Sequence, residues 1–331
     1  MSRENYNILN TLSIKPVLVD IGASGAPPPI WRSIAQYSVY VGFDPDQREL
    51  REISNGQFAK AIIINEAVTS EQGQNEVTFY LTRSPYCSST LLPATEALEN
   101  YLFSDLFVVE NKVTVRATTL NAAIGRLGLD TVDWLKTDSQ GTDLRLFESL
   151  GHNLRNHVLA VDIEPGLIAA YKGEDLFVDA HHKLVSQGFW LSALDVQGAI
   201  RLKRSTLQDI VKRNPKMKDI QVDQAIRRSP GWCEARYLRT LESLNERDAL
   251  SRDYVLLWVF TMLERQWGYA MDIAKTYEQR FGQNAVSSQL LNIPLQRIMA
   301  VHSSHLLSMY KNIKRLIPPS FKNRLKQLFK G

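Results

Sequence analysis

Residues 17–25, which read Val-Leu-Val-Asp-Ile-Gly-Ala-Ser-Gly, decide the fold. The apolar run predicts a buried β-strand, and a glycine turn follows it directly. A strand that ends in such a turn at the head of a helix is typical of an open α/β sheet, in which ligands bind at the carboxyl ends of the strands. Gly22 and Gly25 would let the backbone pass close to a nucleotide-like ligand. A tight turn that serves packing alone is the alternative interpretation.

The same alternation of strand and helix continues through the first two thirds of the chain. Further apolar runs predict strands at 38–43, 59–65, 131–138, 156–164, 188–196 and 219–228. Amphipathic segments predict helices at 30–37, 46–53, 120–128 and 142–151. This order predicts an α/β domain with a doubly wound, mostly parallel, Rossmann-like sheet.

At Ser229-Pro230-Gly231 turn residues cluster, and after them the alternation of strand and helix patterns gives way to helical patterns alone. We therefore predict an α/β domain over residues 1–230 and a helical C-terminal domain over residues 231–310. Residues 253–273 are unusually apolar and must be buried, either in a core or against a second copy of the chain. The helical segment is therefore a candidate homodimer interface.

Composition narrows the class of protein. The 331 residues are 44% hydrophobic and 22% charged, which is ordinary for a globular protein. Cys87 and Cys233 are too few for a disulfide framework and indicate a reducing compartment. The first ten residues lack the apolar core of a secretory signal, and the longest apolar run, 255–263, is too short to span a bilayer. We therefore expect a cytoplasmic protein.

Basic residues are concentrated at the end of the chain. The net charge is +4, yet residues 311–331 carry seven lysines and arginines and no acid, so the remainder is net negative. From Phe321 to Phe329, apolar side chains recur in one stripe among these basic residues. The pattern predicts a basic amphipathic tail in peripheral contact with an anionic inner membrane face; a solvated tail is the alternative. Nucleic-acid binding is not expected, because no stacking motif accompanies the charge.

The residues around the glycine turn discriminate between cofactors. Asp44 ends the second predicted strand, where a carboxylate can accept hydrogen bonds from both hydroxyls of a ribose. The helix after the turn begins with Pro27-Pro28-Pro29, which has no N–H groups to offer a pyrophosphate. S-adenosyl-L-methionine carries a ribose and no phosphate, so this turn favours it over NAD.

A second polar motif lies at residues 133–143, which read Asp-Trp-Leu-Lys-Thr-Asp-Ser-Gln-Gly-Thr-Asp. Strand alternation places Lys136 and Asp138 on one face. Asp138 is the last strand residue, so it would lie at the sheet edge where ligands bind. Asp143 falls in the first turn of the next helix, where the helix dipole stabilises a carboxylate. A purely structural ion pair between Lys136 and Asp138 is the alternative.

Together these motifs resemble the FkbM family of S-adenosyl-L-methionine-dependent methyltransferases over about residues 16–228. The resemblance is carried by Asp-Ile-Gly-Ala-Ser-Gly at 20–25, Gly-Phe-Asp-Pro-Asp at 42–46, Asn-Glu-Ala at 65–67, Ser-Ser at 88–89 and the motif at 133–143. The family signature around the fourth strand is approximately D-x-L-K-I-D-V-E-G-x-E. This chain keeps Lys136, Asp138 and Gly141, but it has Gln140 in place of an acid and Asp143 in place of Glu.

The resemblance implies a class I methyltransferase that methylates a hydroxyl of a sugar, polysaccharide or related secondary metabolite. Asp138 is then the candidate base, and Lys136 tunes Asp138 or holds the carboxylate of the cofactor. The predicted cofactor contacts are Asp20, Gly22, Ala23, Ser24, Gly25, Asp44, Asn65 and Glu66. The candidate acceptor contacts are Asp143, Asp162 and Glu164. Asn65, Glu66 and these three acids are also compatible with plain structural roles.

No metal site is predicted. His181 and His182 are adjacent and would diverge on a helix, so they would not share one ion. His302 and His305 share a helical face, but no third ligand accompanies them.

The residues allow three functional classes. The first is a methyltransferase with a small-molecule or glycan acceptor. The second is an NAD-dependent sugar oxidoreductase, which Pro27-Pro28-Pro29 disfavours. The third is a non-catalytic assembly module of glycan synthesis, which would keep the fold and recruit partners through the helical segment and the tail.

Overall fold

The structure is a computed structural model that describes residues 6–45, 57–214 and 224–316, with side chains through residue 301. The strands are β1 (Val17–Ile21), β2 (Val39–Phe43), β3 (Lys60–Ile64), β4 (Ala67–Val68), β5 (Glu76–Thr82), β6 (Val109–Thr118), β7 (Trp134–Thr137), β8 (Ala160–Ile163), β9 (Phe189–Ala199) and β10 (Ser229–Arg239). The α-helices are α1 (Asn7–Thr11), α2 (Thr95–Leu98), α3 (Leu120–Arg126), α4 (Asp143–Ser149), α5 (Gly151–His157), α6 (Phe177–Ser186), α7 (Arg204–Arg213), α8 (Leu241–Asn245), α9 (Ser251–Leu263), α10 (Trp267–Phe281) and α11 (Ala285–Leu316). Short 3-10 helices lie at Pro29–Ser33, Ala35–Tyr37, Pro85–Cys87 and Leu102–Phe107.

The central sheet has seven strands in the order β3-β2-β1-β7-β8-β10-β9. β10 is antiparallel to both of its neighbours, and the remaining pairs are parallel. A dinucleotide-binding Rossmann sheet has six parallel strands in the order 3-2-1-4-5-6. This sheet differs by one antiparallel strand inserted next to its edge. The predicted doubly wound, mostly parallel, Rossmann-like α/β fold is confirmed.

A second sheet of three strands, in the order β4-β6-β5, follows β3 in the chain. β5 and β6 pair antiparallel from Glu76 with Arg116 to Thr82 with Val109. The connection between these two strands includes the 3-10 helix Leu102–Phe107, which borders the cavity described below.

The helix predictions are confirmed only in part. The patterns at 120–128 and 142–151 correspond to α3 and α4. The pattern at 30–37 forms two short 3-10 helices, and proline at the start of the first leaves few N–H donors for a regular α-helical turn. The helix predicted at 46–53 lies outside the described residues.

The predicted boundary at residue 230 falls inside the sheet and is corrected. Residues 229–239 form β10, whereas the strand predicted at 219–228 is helical at residues 224 and 225. Two arginines obscure the strand pattern of β10. Arg236 pairs with Asp162, and the buried Arg239 donates to backbone carbonyls such as that of Val158. The compact units of the chain are residues 1–260 and 261–331.

Both faces of the central sheet are buried, which explains the continuous apolar runs in the sequence. Every residue of β1 and β2 is buried. On one face the ring centroid of Trp134 lies 5.9 Å from that of Trp31 and 4.8 Å from that of Phe260. Residues 254–260 of α9 are fully buried. The most apolar part of the segment 253–273 therefore belongs to the core of the first unit.

The second unit consists of the end of α9, then α10 and α11, and the last two pack against each other. The backbone of α11 continues through Leu316, and residues 317–331 of the predicted basic tail lie outside the described residues. Among the described helices, none combines the length and the hydropathy needed to cross a membrane.

A buried ion pair joins the start of β1 to α9. Asp133 is fully buried, and its carboxylate accepts hydrogen bonds from Nη1 and Nη2 of Arg252 at 2.8 and 2.7 Å. The same carboxylate accepts the N–H of Val17 at 2.7 Å. Asp133 therefore fixes the strand that leads into the glycine turn.

Replacing Asp133 by alanine should lower the free energy of unfolding by about 3 kcal/mol, because Arg252 and the N–H of Val17 lose their acceptor inside the protein. Urea denaturation followed by tryptophan fluorescence measures this change. The control is Glu110→Ala, which breaks an exposed ion pair with Arg83 and should cost less than about 0.5 kcal/mol. Similar losses in the two variants would contradict the role given to Asp133.

Candidate functional site

A cavity of about 640 Å³ opens at the carboxyl ends of the parallel strands. Residues that follow β1, β2, β7 and β8 line it, which is the edge where open α/β sheets bind ligands. The predicted site residues in its wall are Gly22, Ser24, Asp44, Glu66, Asp138 and Glu164. The predicted site residues outside its wall are Asp20, Ala23, Gly25, Asn65, Lys136, Asp143 and Asp162.

The turn after β1 is closely packed at Gly22. Its φ is 75°, and a Cβ at this position would overlap the carbonyl oxygen of Asp138. The turn after β1 can therefore lie against the end of β7 only if residue 22 has no side chain. Gly25 also has a positive φ, 82°, but the space around it is open. Gly22 therefore allows the close approach of the turn to Asp138, whereas Gly25 only allows the chain to turn.

The segment after this turn offers few backbone donors to the cavity. Prolines occupy positions 27–29, and the 3-10 helix that begins at Pro29 has only five residues. The N–H of Trp31 is donated to the carbonyl of Pro28 at 3.0 Å. A pyrophosphate would need free N–H groups at a helix N-terminus. This geometry suits a cofactor without phosphate groups.

Asp44 lies in the cavity wall directly after β2 and is only 6% exposed. Its N–H donates to the carbonyl of Ile64 at 3.2 Å, and its own carbonyl accepts Nδ2 of Asn65 at 2.8 Å. The backbone of Asp44 is thus fixed from β3. A carboxylate at this position can accept hydrogen bonds from the hydroxyls of a ribose. Asn65 therefore positions Asp44 and does not itself line the cavity.

Glu66 reaches the cavity wall, but its carboxylate is already paired twice. Oε1 lies 3.0 Å from Nη2 of Arg116, and Oε2 lies 2.7 Å from Nη2 of Arg126. The two arginines link the end of β3 to β6 and α3. A cofactor would have to compete with both ion pairs for this carboxylate.

Lys136 lies partly buried beneath the glycine turn. Its Nζ lies 3.0 Å from Oδ1 of Asp20 and 3.4 Å from the carbonyl oxygen of Gly22, while the hydroxyl of Tyr40 donates to Oδ2 of Asp20 at 2.9 Å. Burial by itself lowers the pKa of Lys136, but the carboxylates of Asp20 and Asp138 outweigh burial and raise this pKa above its ordinary value. Lys136 is therefore a permanently charged support for the turn, and Asp20 is its ion-pair partner.

Asp138 borders the cavity and is oriented by Gln140. Nε2 of Gln140 donates to Oδ1 of Asp138 at 2.7 Å, and Oε1 of Gln140 accepts the hydroxyl of Tyr171 at 2.9 Å. Gln140 has a φ of 58°, and its carbonyl accepts Oγ of Ser89 at 2.7 Å, which holds this left-handed conformation. Gln140 therefore keeps Asp138 fixed as a hydrogen-bond acceptor.

Glu164 follows β8 and also faces the cavity. Burial raises its pKa well above the ordinary value, and the carboxylates of Asp138 and Asp143 raise it further. Glu164 is therefore protonated near neutral pH and can donate a hydrogen bond. A protonated carboxyl group in the wall of a cavity can orient a bound molecule through the hydrogen bond it donates.

Asp143 has a structural role in place of the predicted acceptor contact. It is 1% exposed, and its carboxylate accepts the N–H of Ser139 at 2.9 Å and the N–H of Glu164 at 2.8 Å. Burial raises the pKa of Asp143 to about 6, although these hydrogen bonds act in the opposite direction. Asp143 thus joins the start of α4 to the end of β8.

Asp162 is likewise engaged outside the cavity wall. Nε and Nη2 of Arg236 each lie 2.7 Å from its carboxylate oxygens, and Nε1 of Trp134 donates to Oδ1 at 3.0 Å. Arg236 belongs to β10, the strand that the sequence does not predict. Of the two candidate acceptor contacts on β8 and directly after it, Glu164 therefore borders the cavity and Asp162 does not.

No pattern in the sequence assigns a role to Tyr171 or Glu174, yet both line the cavity. Glu174 Oε2 accepts the N–H groups of Ala170 and Tyr171 at 2.6 and 2.9 Å. Burial raises the pKa of Glu174 to about 7 against these hydrogen bonds. Both residues lie in the connection between β8 and α6, where no periodic pattern marks a functional side chain.

No protein-family model and no curated protein matches this chain. A solved structure described as an antibiotic-related methyltransferase is similar over 72% of this chain and 95% of its own length, with 11% sequence identity and a TM-score of 0.24. A likeness at this TM-score does not identify a shared activity. Membership of the FkbM family therefore stays a prediction.

Gly22→Ala should destabilise the protein more than Gly25→Ala. Alanine at either position has to adopt a left-handed conformation, which costs about 1–2 kcal/mol. Only at Gly22 does the new Cβ also overlap the carbonyl of Asp138. The free energies of unfolding in urea provide the comparison, and equal losses in the two variants would show that the close approach does not constrain residue 22.

Gln140→Glu should lower the free energy of unfolding by about 1–2 kcal/mol, because the variant loses the hydrogen bond donated to Asp138 and places a second carboxylate beside it. Urea denaturation measures this change. The control is Gln197→Glu, because Gln197 also donates its Nε2 to an aspartate two residues away, Asp195, on the exposed part of β9. The control should cost less than about 0.5 kcal/mol, and equal losses in the two variants would argue against the orienting role of Gln140.

Proposed function

We propose that this protein is an S-adenosyl-L-methionine-dependent O-methyltransferase that acts on a hydroxyl of a sugar, polysaccharide or related secondary metabolite. The observation that carries the proposal is one cavity bordered by Asp44 after β2, Gly22 after β1 and Asp138 after β7. A single ligand can therefore contact the ends of three adjacent strands. The antiparallel β10 beside the sheet edge also agrees with the class I methyltransferase fold that the FkbM resemblance implies.

The residues around the turn fit this cofactor. Asp44 would hold the ribose, and the bare backbone of Gly22 would lie against the ligand without a side chain between them. Lys136 and Asp20 maintain the shape of the turn from below. When bound, S-adenosyl-L-methionine supplies an electrophilic methyl group on a positively charged sulfur.

Asp138 would serve as the base for the acceptor hydroxyl. As the acceptor oxygen takes the methyl group that the cofactor would supply, the carboxylate of Asp138 would receive the hydroxyl proton, and the electron pair of the broken carbon–sulfur bond would leave with the cofactor. Gln140 keeps Asp138 in the orientation that accepts this proton. Glu164, which is protonated near neutral pH, would donate a hydrogen bond that positions the acceptor.

The two other functional classes have less support. An oxidoreductase that uses NAD would need N–H donors for a pyrophosphate, and prolines occupy positions 27–29. A non-catalytic assembly module would not need a base that two side chains hold in place beside a cavity. The oriented Asp138 therefore favours an enzyme over a module.

Homodimer formation through the helical segment and membrane contact through residues 311–331 stay predictions. Much of α9 is buried within the first unit. α11 exposes apolar side chains, with Leu295 at 41% and Met299 at 60%, so it provides a candidate surface for a second copy. Within the described residues, no three His, Cys, Asp or Glu side chains form a group that could hold a metal ion.

Asp138→Asn should abolish most methyl transfer and leave the binding of S-adenosyl-L-methionine nearly unchanged. A general base contributes about 10²–10⁴-fold to the rate, so turnover should fall at least about a hundredfold. Calorimetry measures cofactor affinity, and transfer of a labelled methyl group measures turnover. Asp195→Asn, an exposed aspartate on β9, is the control and should change neither quantity. Absence of cofactor binding to the unmodified protein at millimolar concentration would refute the methyltransferase proposal.

A further inference from the structure

The end of the cavity beyond Asp138 is bounded by four aromatic rings. The ring centroid of Phe103 lies 6.3 Å from that of Trp232, with the planes at 90°, and 5.5 Å from that of Phe107. Phe107 in turn lies 5.6 Å from Tyr171. All four side chains line the cavity, and we name them the aromatic wall. Because Phe103 and Trp232 meet edge to face, they form a corner against which a flat molecule can pack.

The aromatic wall extends to the proposed base. The hydroxyl of Tyr171 donates to Oε1 of Gln140, and Nε2 of Gln140 donates to Asp138. The rings therefore begin one side chain away from the carboxylate that would take the acceptor proton. Aliphatic side chains of Leu102, Ile168 and Ile200 line the same cavity.

Two polar groups beside the aromatic wall, the hydroxyl of Tyr171 and the carboxylate of Glu174, are already engaged. The hydroxyl of Tyr171 lies within hydrogen-bond distance of the carbonyl of Cys87 as well as of Gln140. Glu174 accepts two backbone N–H groups. A sugar carries a hydroxyl on most of its ring carbons, and each of them loses water on burial and needs a new partner. An apolar ring system makes no such demand and is suited to aromatic surfaces.

We propose that the acceptor is a hydroxylated aromatic or fused-ring compound, whose apolar rings pack on the aromatic wall while its hydroxyl faces Asp138. This inference rests on the proposed methyl transfer and selects the secondary-metabolite class over free sugars. The transfer step is the one given above, with a phenolic oxygen as the nucleophile and Asp138 as the proton acceptor. A phenolic hydroxyl loses its proton more readily than an alcohol, so a carboxylate base suffices more easily.

The test uses two small probes with the full chain. 2-Naphthol is flat and apolar with one hydroxyl, and methyl α-glucoside carries several hydroxyls on a sugar ring. We expect 2-naphthol to bind at least tenfold more tightly in calorimetry and to accept a labelled methyl group from S-adenosyl-L-methionine. Trp232→Ala should weaken 2-naphthol binding about tenfold while the affinity for S-adenosyl-L-methionine stays the same. Trp232→Phe, which keeps an apolar ring, should retain most of the affinity for 2-naphthol.

Thermal unfolding and cofactor binding of each variant report whether the fold is intact. If Trp232→Ala does not fold, Trp232→Phe and Phe103→Leu provide the same comparison with smaller losses. Methyl α-glucoside binding as tightly as 2-naphthol, or 2-naphthol affinity that is insensitive to all three substitutions, would overturn the inference. Ring-dependent binding of 2-naphthol without any binding of S-adenosyl-L-methionine would support the apolar site and reject the proposed methyl transfer.

Discussion

The contact between Gly22 and the carbonyl oxygen of Asp138 is the constraint on which the candidate site depends. Two neighbouring parallel strands, β1 and β7, end at the same edge, and the chain leaves both of them through tight turns. Because residue 22 has no side chain, the two turns touch and the ends of both strands face one cavity. Asp133 fixes the entry of β1, and Lys136 supports the turn from below. The shape of the candidate binding edge is thus set by a backbone contact, and the side chains that line the cavity are attached to this backbone.

The carboxyl groups of the central sheet and its loops are held in two ways. Asp20, Asp133 and Asp162 each have a cation as partner, Lys136, Arg252 and Arg236, and these pairs join strands or helices. Two carboxyl groups in the cavity wall, Asp138 and Glu164, are held differently. Asp138 receives a hydrogen bond from a neutral amide, and burial with neighbouring carboxylates leaves Glu164 protonated. A buried charge with a full ionic partner stabilises the fold, whereas a carboxylate held by an amide is available to a substrate.

Prediction from sequence succeeded where burial imposes a simple period. β1 and β2 are buried on both faces, so each is a continuous apolar run that any reading of the sequence detects. It failed at β10, because this strand contains Arg236 and Arg239, whose charges are satisfied only by groups distant in the chain. Asp143 and Asp162 lie outside the cavity wall, and their positions in the sequence do not indicate this. A strand-end or helix-start acid has the same sequence pattern whether it faces a ligand or a buried backbone donor.

The sequence by itself determined the parallel sheet, the glycine turn and the presence of carboxylates at the ends of strands, because these follow from local periodicity and from the conformations that glycine and proline permit. Only the tertiary structure decided which carboxylates reach the cavity, since that depends on partners up to 119 residues away, as for Asp133 and Arg252. It also decided that Gln140 orients Asp138 and that Tyr171 and Trp232 share one cavity with it. These side chains come from segments that are distant in the sequence, so no periodic pattern along the chain indicates that they lie together.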